Sequence, residues 1–169
     1  MNVLIVSDSH GLTTELEDIK QRHHCSTMIH CGDTELGMDA EQLEGFIKVG
    51  GNCDFDARYP LDHTVDIGGL TFYITHGHLH RVNSGLLPLA YKSQEKSAQI
   101  VCYGHTHVAG AEMVGNQLFI NPGSIKQPRR HPDKTYAIMR WDTPKDIYID
   151  FYHMDGTLHQ HLSTRVTFN

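Results

Sequence analysis

Five times in this chain an apolar, strand-like run ends in a glycine-containing turn that carries side chains able to bind a metal ion. The first is Val3-Leu4-Ile5-Val6, followed by Ser7-Asp8-Ser9-His10-Gly11. An unbroken aliphatic run of this kind reads as a strand buried on both faces, as in a parallel sheet. The residues after it then lie at the strand's C-terminal end, where open α/β sheets place ligand sites. Residues two apart in an extended segment project to the same side, so Asp8 and His10 can address one target. A carboxylate with an imidazole suits a divalent transition ion. Taken alone, this stretch is equally well read as a helix cap beside a surface histidine.

The pattern returns in order. Thr27-Met28-Ile29-His30-Cys31 runs into Gly32-Asp33, and Phe46-Ile47-Lys48-Val49 into Gly50-Gly51-Asn52-Cys53-Asp54. Leu70–Thr75 ends at His76-Gly77-His78, and Gln99–Tyr103 at Gly104-His105-Thr106-His107. Between the first two lies a helix with Leu16, Ile19 and His23 on its apolar side and Thr14 with Glu17 as its capping box. Strand, helix, strand makes a βαβ unit, so the second strand is expected parallel to the first, bringing Asp33 to the edge that holds Asp8. A short helix is expected around Asp39–Gly45 and another from Leu86 to about Ser97, with Pro88 in its first turn.

Two hairpins are expected: Leu61–Ile67 with Leu70–Thr75 around Gly68-Gly69, and Val108–Val114 with Gln117–Ile120 around Gly115-Asn116. Thr135–Trp141, Ile147–His153 and Thr157–Val166 read as three antiparallel strands, the last two joined at Asp155-Gly156. The first half thus has parallel character and the second antiparallel. Two sheets packed face to face with helices outside would bury both sets. His159 and His161 alternate along what reads as a solvated face, and His23, His24, His63, His80, His131 and His153 are given no chemistry. His30 reads as a buried support.

With 169 residues the chain reads as a single domain, 1–169. No apolar stretch approaches the ~20 residues needed to cross a bilayer, and no signal peptide precedes the first strand. A cytoplasmic location is expected. Net charge is −6 without a long basic block, so a long nucleic acid is a poor partner. Cys25, Cys31, Cys53 and Cys102 have no CxxC spacing and read as reduced thiols. Fourteen histidines are more than packing needs, and histidine is the commonest metal ligand.

The order and identity of the five tips resemble the calcineurin-like metallophosphoesterase superfamily, along essentially the whole chain. Its small bacterial branch, the YfcE-type phosphodiesterases, is the most similar. Phe119-Ile120-Asn121-Pro122-Gly123-Ser124 and Pro128-Arg129 also look like that branch. The resemblance implies a two-sheet mixed β-sandwich flanked by helices on its outer faces. It implies two divalent ions, one held by Asp8, His10, Asp33 and His107, the other by Asp33, Asn52, His76 and His105, with Asp33 shared and Asn52 also counted as catalytic. The mixed donor set suits Mn²⁺, Fe, Co²⁺, Ni²⁺ or Zn²⁺ better than Ca²⁺, and Mn²⁺ is the expected ion.

The implied activity is phosphodiester hydrolysis of a small ester by in-line attack of a metal-bridging hydroxide. Many members carry His directly after the Asn; here Cys53 stands there, and Cys53 and His78 are the expected substrate contacts. Arg81, Lys126, Arg129 and Arg130 are further loop cations able to reach a phosphate. The alternatives are a phosphomonoesterase, or a non-catalytic metal-binding scaffold of the same fold that binds protein partners, as the retromer subunit does. The ionised carboxylate at Asp33 favours chemistry. A homo-oligomer is compatible with the sequence but not read from it.

Overall fold

A computed structural model describes residues 1–168. In it β1 (Asn2–Val6), β2 (Thr27–His30) and β3 (Phe46–Lys48) run parallel, with α1 (Thr14–His23) crossing between the first two. β4 (Asp62–Ile67) and β5 (Leu70–Thr75) form the first hairpin. Gly68 and Gly69 both have positive φ, 55° and 83°, as the tightest hairpin turns require. α2 (Leu87–Glu95, with its proline in the first turn) leads into β6 (Ile100–Cys102). The second hairpin is β7 (Gly110–Val114) with β8 (Gln117–Asn121). β9 (Thr135–Trp141), β10 (Asp146–His153) and β11 (Thr164–Thr167) complete the chain.

The strands form two mixed sheets, one ordered β11-β10-β9-β1-β2-β3 and the other β4-β5-β6-β8-β7. Alternation along β1 shows how they stack. Val3 and Ile5 enter the core between the sheets, beside Phe72, Ile74, Ile100 and Ile120 of the second sheet. Leu4 and Val6 point the other way, onto Leu16 and Ile19 of α1. On the far side, Tyr73, Val101 and Phe119 pack against Leu89 and Ala90 of α2. The layers are therefore helix, sheet, sheet, helix. Each fully buried aliphatic side chain contributes about 1.5–3 kcal/mol of transfer free energy, so β1, buried on both faces, is fixed firmly at the centre.

Three expectations are corrected. Parallel and antiparallel strands do not divide by halves of the chain: β9 pairs antiparallel with β1, and β5, β6 and β8 run parallel in the second sheet. The capping box is not formed. Thr13 occupies the cap position without a side-chain hydrogen bond, and Thr14 is already helical. The last strand is short. Residues 157–163 turn instead, meeting β10 at a single Tyr152–Leu158 bridge and a Phe151 N–H bond to Ser163 Oγ, and His159 packs inward on His153 at 4.7 Å between ring centroids. The strand is interrupted because the Ser163 hydroxyl donates to His159 O and the backbone N–H groups of Leu162 and Ser163 close on the same oxygen.

Candidate metal centre

The C-terminal ends of β1, β2 and β3 open on the same edge as those of β5 and β6. Backbone bonds stitch the tips together: Asp8 N–H donates to Gly32 O (3.0 Å), His10 N–H to Asp33 O (3.0 Å) and Gly104 N–H to His76 O (3.1 Å). His105 N–H donates to Asp8 Oδ2 at 3.2 Å, joining the two sheets. Asp8, His10, Asp33, Glu35, His105 and His107 all have positive φ, between 44° and 66°. That backbone region is unfavourable for residues with a Cβ. Six such residues in one place mark a region where the fold holds the chain in strained turns, as functional sites do.

Two glycines make the crowding possible. A Cβ on Gly104 would lie 2.0 Å from Ser7 Oγ and 2.6 Å from Asp8 Oδ2, and one on Gly51 would lie 2.0 Å from Asp33 Oδ1.

The donor atoms converge. Asp8 Oδ1 lies 3.0 Å from His107 Nε2, 3.9 Å from His10 Nε2 and 4.0 Å from His76 Nε2, and Asp33 Oδ2 lies 3.2 Å from His76 Nε2. Asp8, His10 and His107 form one trio, and Asp8, Asp33 and His76 another, with all donor atoms of each within 4.8 Å of one another. Asp8 belongs to both. The His105 ring stands 5.1 Å from that of His76. Asn52 is at the mouth, exposed, with its amide N–H donating to Cys53 Sγ at 3.4 Å. His78 lies 5.3 Å from His76 and 6.1 Å from His105, ring to ring.

The imidazoles are set for ligation. His10 Nδ1 lies 2.6 Å from Glu35 Oε1, His76 Nδ1 donates to Cys31 O (2.8 Å) and His107 Nδ1 to Gln127 O (2.6 Å). Carbonyl and carboxylate oxygens only accept, so their partners assign the ring proton to Nδ1 and leave Nε2 as a lone pair facing inward. Asp8 Oδ1 and His76 Nε2 are buried with no hydrogen-bond partner. Burial would raise the Asp33 carboxyl, but the His76 ring beside it and the Cys53 N–H hold it well below the usual carboxylate range. Burial likewise opposes charge on His76 and His107, yet Asp33 and Asp8 raise His76, and Asp8 raises His107. The carboxylates thus draw positive charge to the pocket. Divalent cations compete for the same lone pairs as protons, so the residues present fit a metal pair.

Several residues support the tips in ways the sequence did not assign. Asp54 accepts from Asp33 N–H, Gly51 N–H, Glu35 N–H and Thr34 Oγ1, all at 2.7–2.8 Å, and so fixes both the β2 and β3 tips. Ser124 Oγ donates to Asp8 O, and Lys126 Nζ to His10 O. Of the expected loop cations, Lys126 therefore has its ammonium spent on the backbone, while Arg129 bonds His107 O through its backbone N–H alone. His30 is wholly buried, 3.0 Å from Ser9 Oγ, with Nδ1 accepting from Gly32 N–H. It supports the turns, as expected.

Comparison with known proteins agrees with this geometry. Residues 1–144 match the family model described as the calcineurin-like phosphoesterase superfamily domain. The probable metallophosphoesterase YsnB of Bacillus subtilis is 41% identical, over 99% of both chains. The phosphodiesterase MJ0936 of Methanocaldococcus jannaschii is 31% identical, over 73% of this chain and 83% of that one. The crystal structure of a predicted phosphoesterase from Streptococcus pneumoniae TIGR4 superposes with a TM-score of 0.93 at 36% identity, covering 98% of this chain and 97% of that one.

Proposed function

The chain belongs to the calcineurin-like phosphoesterase superfamily and is a metal-dependent phosphoesterase, and from that premise we propose that it is a phosphodiesterase for small, flexible esters, working through two divalent ions held between its strand tips. The observation that carries this is the pair of buried, unpartnered atoms Asp8 Oδ1 and His76 Nε2, ringed by imidazole lone pairs. Asp8, His10 and His107 would hold one ion and Asn52, His76 and His105 the other. Asp33 would be shared between them. Mn²⁺ is the ion we expect in activity, since carboxylate, amide and imidazole donors together suit it. When bound, such a pair supplies Lewis acidity toward a phosphoryl oxygen and an activated water.

The chain's own part is positioning and charge. Glu35, Cys31 O and Gln127 O hold three imidazoles in one tautomer and orientation, so nothing reorganises at the moment of reaction. Asp33 stays ionised at neutral pH. Cys53, beside it, is pushed up to about 11 by burial and by the Asp33 charge, so it remains a thiol. A protonated thiol is no nucleophile, and it suits leaving groups that need little help from a proton. Cys53 and His78 flank the mouth, where they would touch the ester.

We treat residues 1–169 as one catalytic domain. Among the described residues no helix is long and apolar enough to cross a membrane, and all four cysteines are free. Free thiols and a net charge of −6 favour a cytoplasmic enzyme acting on a small ester rather than on a long nucleic acid.

Metal-free protein given Mn²⁺ is expected to bind two ions and hydrolyse bis-p-nitrophenyl phosphate faster than the p-nitrophenyl monoester. Asp33→Asn and His107→Ala should each lose two orders of magnitude or more, because even outer partners of metal ligands are worth ~10–100-fold. Two bound ions with no turnover of any activated ester would leave a metal-binding scaffold instead.

A further inference from the structure

The rim of the strand-tip pocket holds a donor group that the two ions do not use. One carboxylate oxygen of Glu35, Sγ of Cys53 and a ring nitrogen of His10 all lie within 4.8 Å of one another. Of the three, only His10 is among the ligands assigned to the ion pair. Glu35 and Cys53 stand on separate turns, after β2 and after β3, and a backbone bond fixes each. Glu35 N–H donates to Asp54 Oδ1 and Cys53 N–H to Asp33 Oδ1, both at 2.8 Å. The Glu35 side chain is 35% exposed and Cys53 is half-buried, so ions in solvent reach them.

The donor types separate this group from its neighbour. Asp8, His10, Asp33, Asn52, His76, His105 and His107 offer oxygen and nitrogen, which suit Mn²⁺. Cys53 adds the one sulfur, and a thiolate selects soft ions such as Zn²⁺. Three protein donors of sulfur, nitrogen and oxygen, with water in the fourth place, complete a tetrahedral zinc site. On binding, the Cys53 thiol gives its proton to solvent, as a coordinating thiol does.

The spacing is compatible with that. Bonds of ~2.3 Å to sulfur and ~2.0–2.2 Å to nitrogen or oxygen put tetrahedral donors roughly 3.3–3.7 Å apart. Side-chain rotation of Glu35 and Cys53, neither of them buried, covers the remaining distance of about 1 Å. Glu35 must then give up His10 Nδ1, which it holds at 2.6 Å. The His10 ring loses the support that aims its other nitrogen at Asp8 and His107.

We propose that Cys53, Glu35 and His10 form a capture site for a thiophilic divalent ion, Zn²⁺ foremost, and that filling it switches the adjacent centre off. The second half of this rests on the two-ion phosphodiesterase reading. An ion drawn to Cys53 engages Glu35 and the His10 ring, and the first ion of the pair loses a ligand. Mg²⁺ and Mn²⁺ prefer oxygen and gain nothing from the sulfur. The rim therefore responds to the kind of ion present rather than to the amount.

The test adds Cd²⁺, a thiophilic ion whose bond to a thiolate absorbs in the ultraviolet, to the whole protein saturated with Mn²⁺. Wild type is expected to develop the band with one equivalent, to release one Mn²⁺ per chain and to lose hydrolysis of bis-p-nitrophenyl phosphate in step. Cys53→Ser should lack the band. Glu35→Gln should need at least tenfold more Cd²⁺, since even the outer partners of metal ligands are worth ~10–100-fold. Cys25→Ser, which removes the other thiol that is not fully buried, should titrate as wild type does. No band in wild type, a band that persists in Cys53→Ser, or an unshifted titration in Glu35→Gln would each overturn the site. Hydrolysis that continues with the band fully developed would overturn the switch. The band needs no turnover, so a protein that shows it yet hydrolyses no ester keeps the capture site and loses the phosphodiesterase reading.

Discussion

His10 Nε2 and His107 Nε2 face each other across 3.4 Å, although 97 residues separate them in the chain. Each ring has its proton fixed on the other nitrogen, by Glu35 in one case and by Gln127 O in the other. Two lone pairs therefore point at one another and at Asp8 Oδ1. Such an arrangement is repulsive unless a cation or an added proton stands among them.

Removing divalent ions should accordingly destabilise the fold. An ion present at 100 times its dissociation constant adds about 2.7 kcal/mol, and each kcal/mol moves the melting temperature of a domain of this size by about 2–4 °C. Protein dialysed against EDTA is expected to melt roughly 5–10 °C below the Mn²⁺-saturated form. Coincident melting curves would show that nothing occupies the pocket.

Glu35 does not need to touch an ion to matter. Its carboxylate sets the His10 ring from 2.6 Å, and losing such a support weakens metal binding ~10–100-fold. Glu35→Ala should raise the Mn²⁺ concentration for half-maximal activity by that factor, with turnover nearly restored at saturating metal. An unshifted metal titration would reduce Glu35 to a surface acid.

Gly104 and Gly110 offer a paired test of the close approach between sheets. A methyl at 104 meets Ser7 Oγ and Asp8 Oδ2, while one at 110 has nothing within 4 Å. Overpacking of a tight site costs about 1–3 kcal/mol. Urea unfolding should show that loss for Gly104→Ala together with weakened metal binding, and almost no change for Gly110→Ala. Equal stabilities would mean that the Ser7–Asp8 turn yields freely.

Why the tips were legible and their supports were not follows from how each is encoded. Val3–Val6, with the Asp8-x-His10 turn behind it, announces a strand and metal-capable side chains in consecutive residues. The same holds at Asp33, His76 and His105-x-His107. Glu35 and Asp54 act through turns with positive φ, and an acidic residue in a turn has no local mark that tells a buried hydrogen-bond hub from a solvated side chain. The pairing of β9 with β1 joins distant parts of the chain and has no periodicity of its own. His159 reads as one of an alternating pair with His161, yet the turn after β10 rotates it onto His153.

Cys53 is the point at which the chain departs from relatives with His after the Asn. In the metal-free protein, burial and the adjacent Asp33 carboxylate push its thiol up to about 11. Iodoacetamide at pH 7.5 should therefore label it slowly, and Cys53→Ser should hydrolyse bis-p-nitrophenyl phosphate nearly as well as wild type. A loss on the order of 100-fold, the scale of a general acid, would instead make the thiol the proton donor to the leaving group.

His30 links the site's support to pH. Complete burial lowers its pKa from 6.5 to about 4, against the opposing pull of Asp54 and Asp8. Between those two values the unfolded chain binds a proton that the folded chain refuses, so stability rises with pH across this window and is lost on acidification. At pH 5 the deficit amounts to about 2 kcal/mol. Groups such as His76, whose pKa is raised, work in the opposite direction, so the clean measurement is a difference between two proteins. In metal-free wild type and His30→Gln, urea unfolding at pH 7 and pH 5 should show the variant losing about 2 kcal/mol less on acidification. Identical losses would mean that His30 takes its proton as readily inside the fold as outside it, and the turn at Ser9 and Gly32 would then need another anchor.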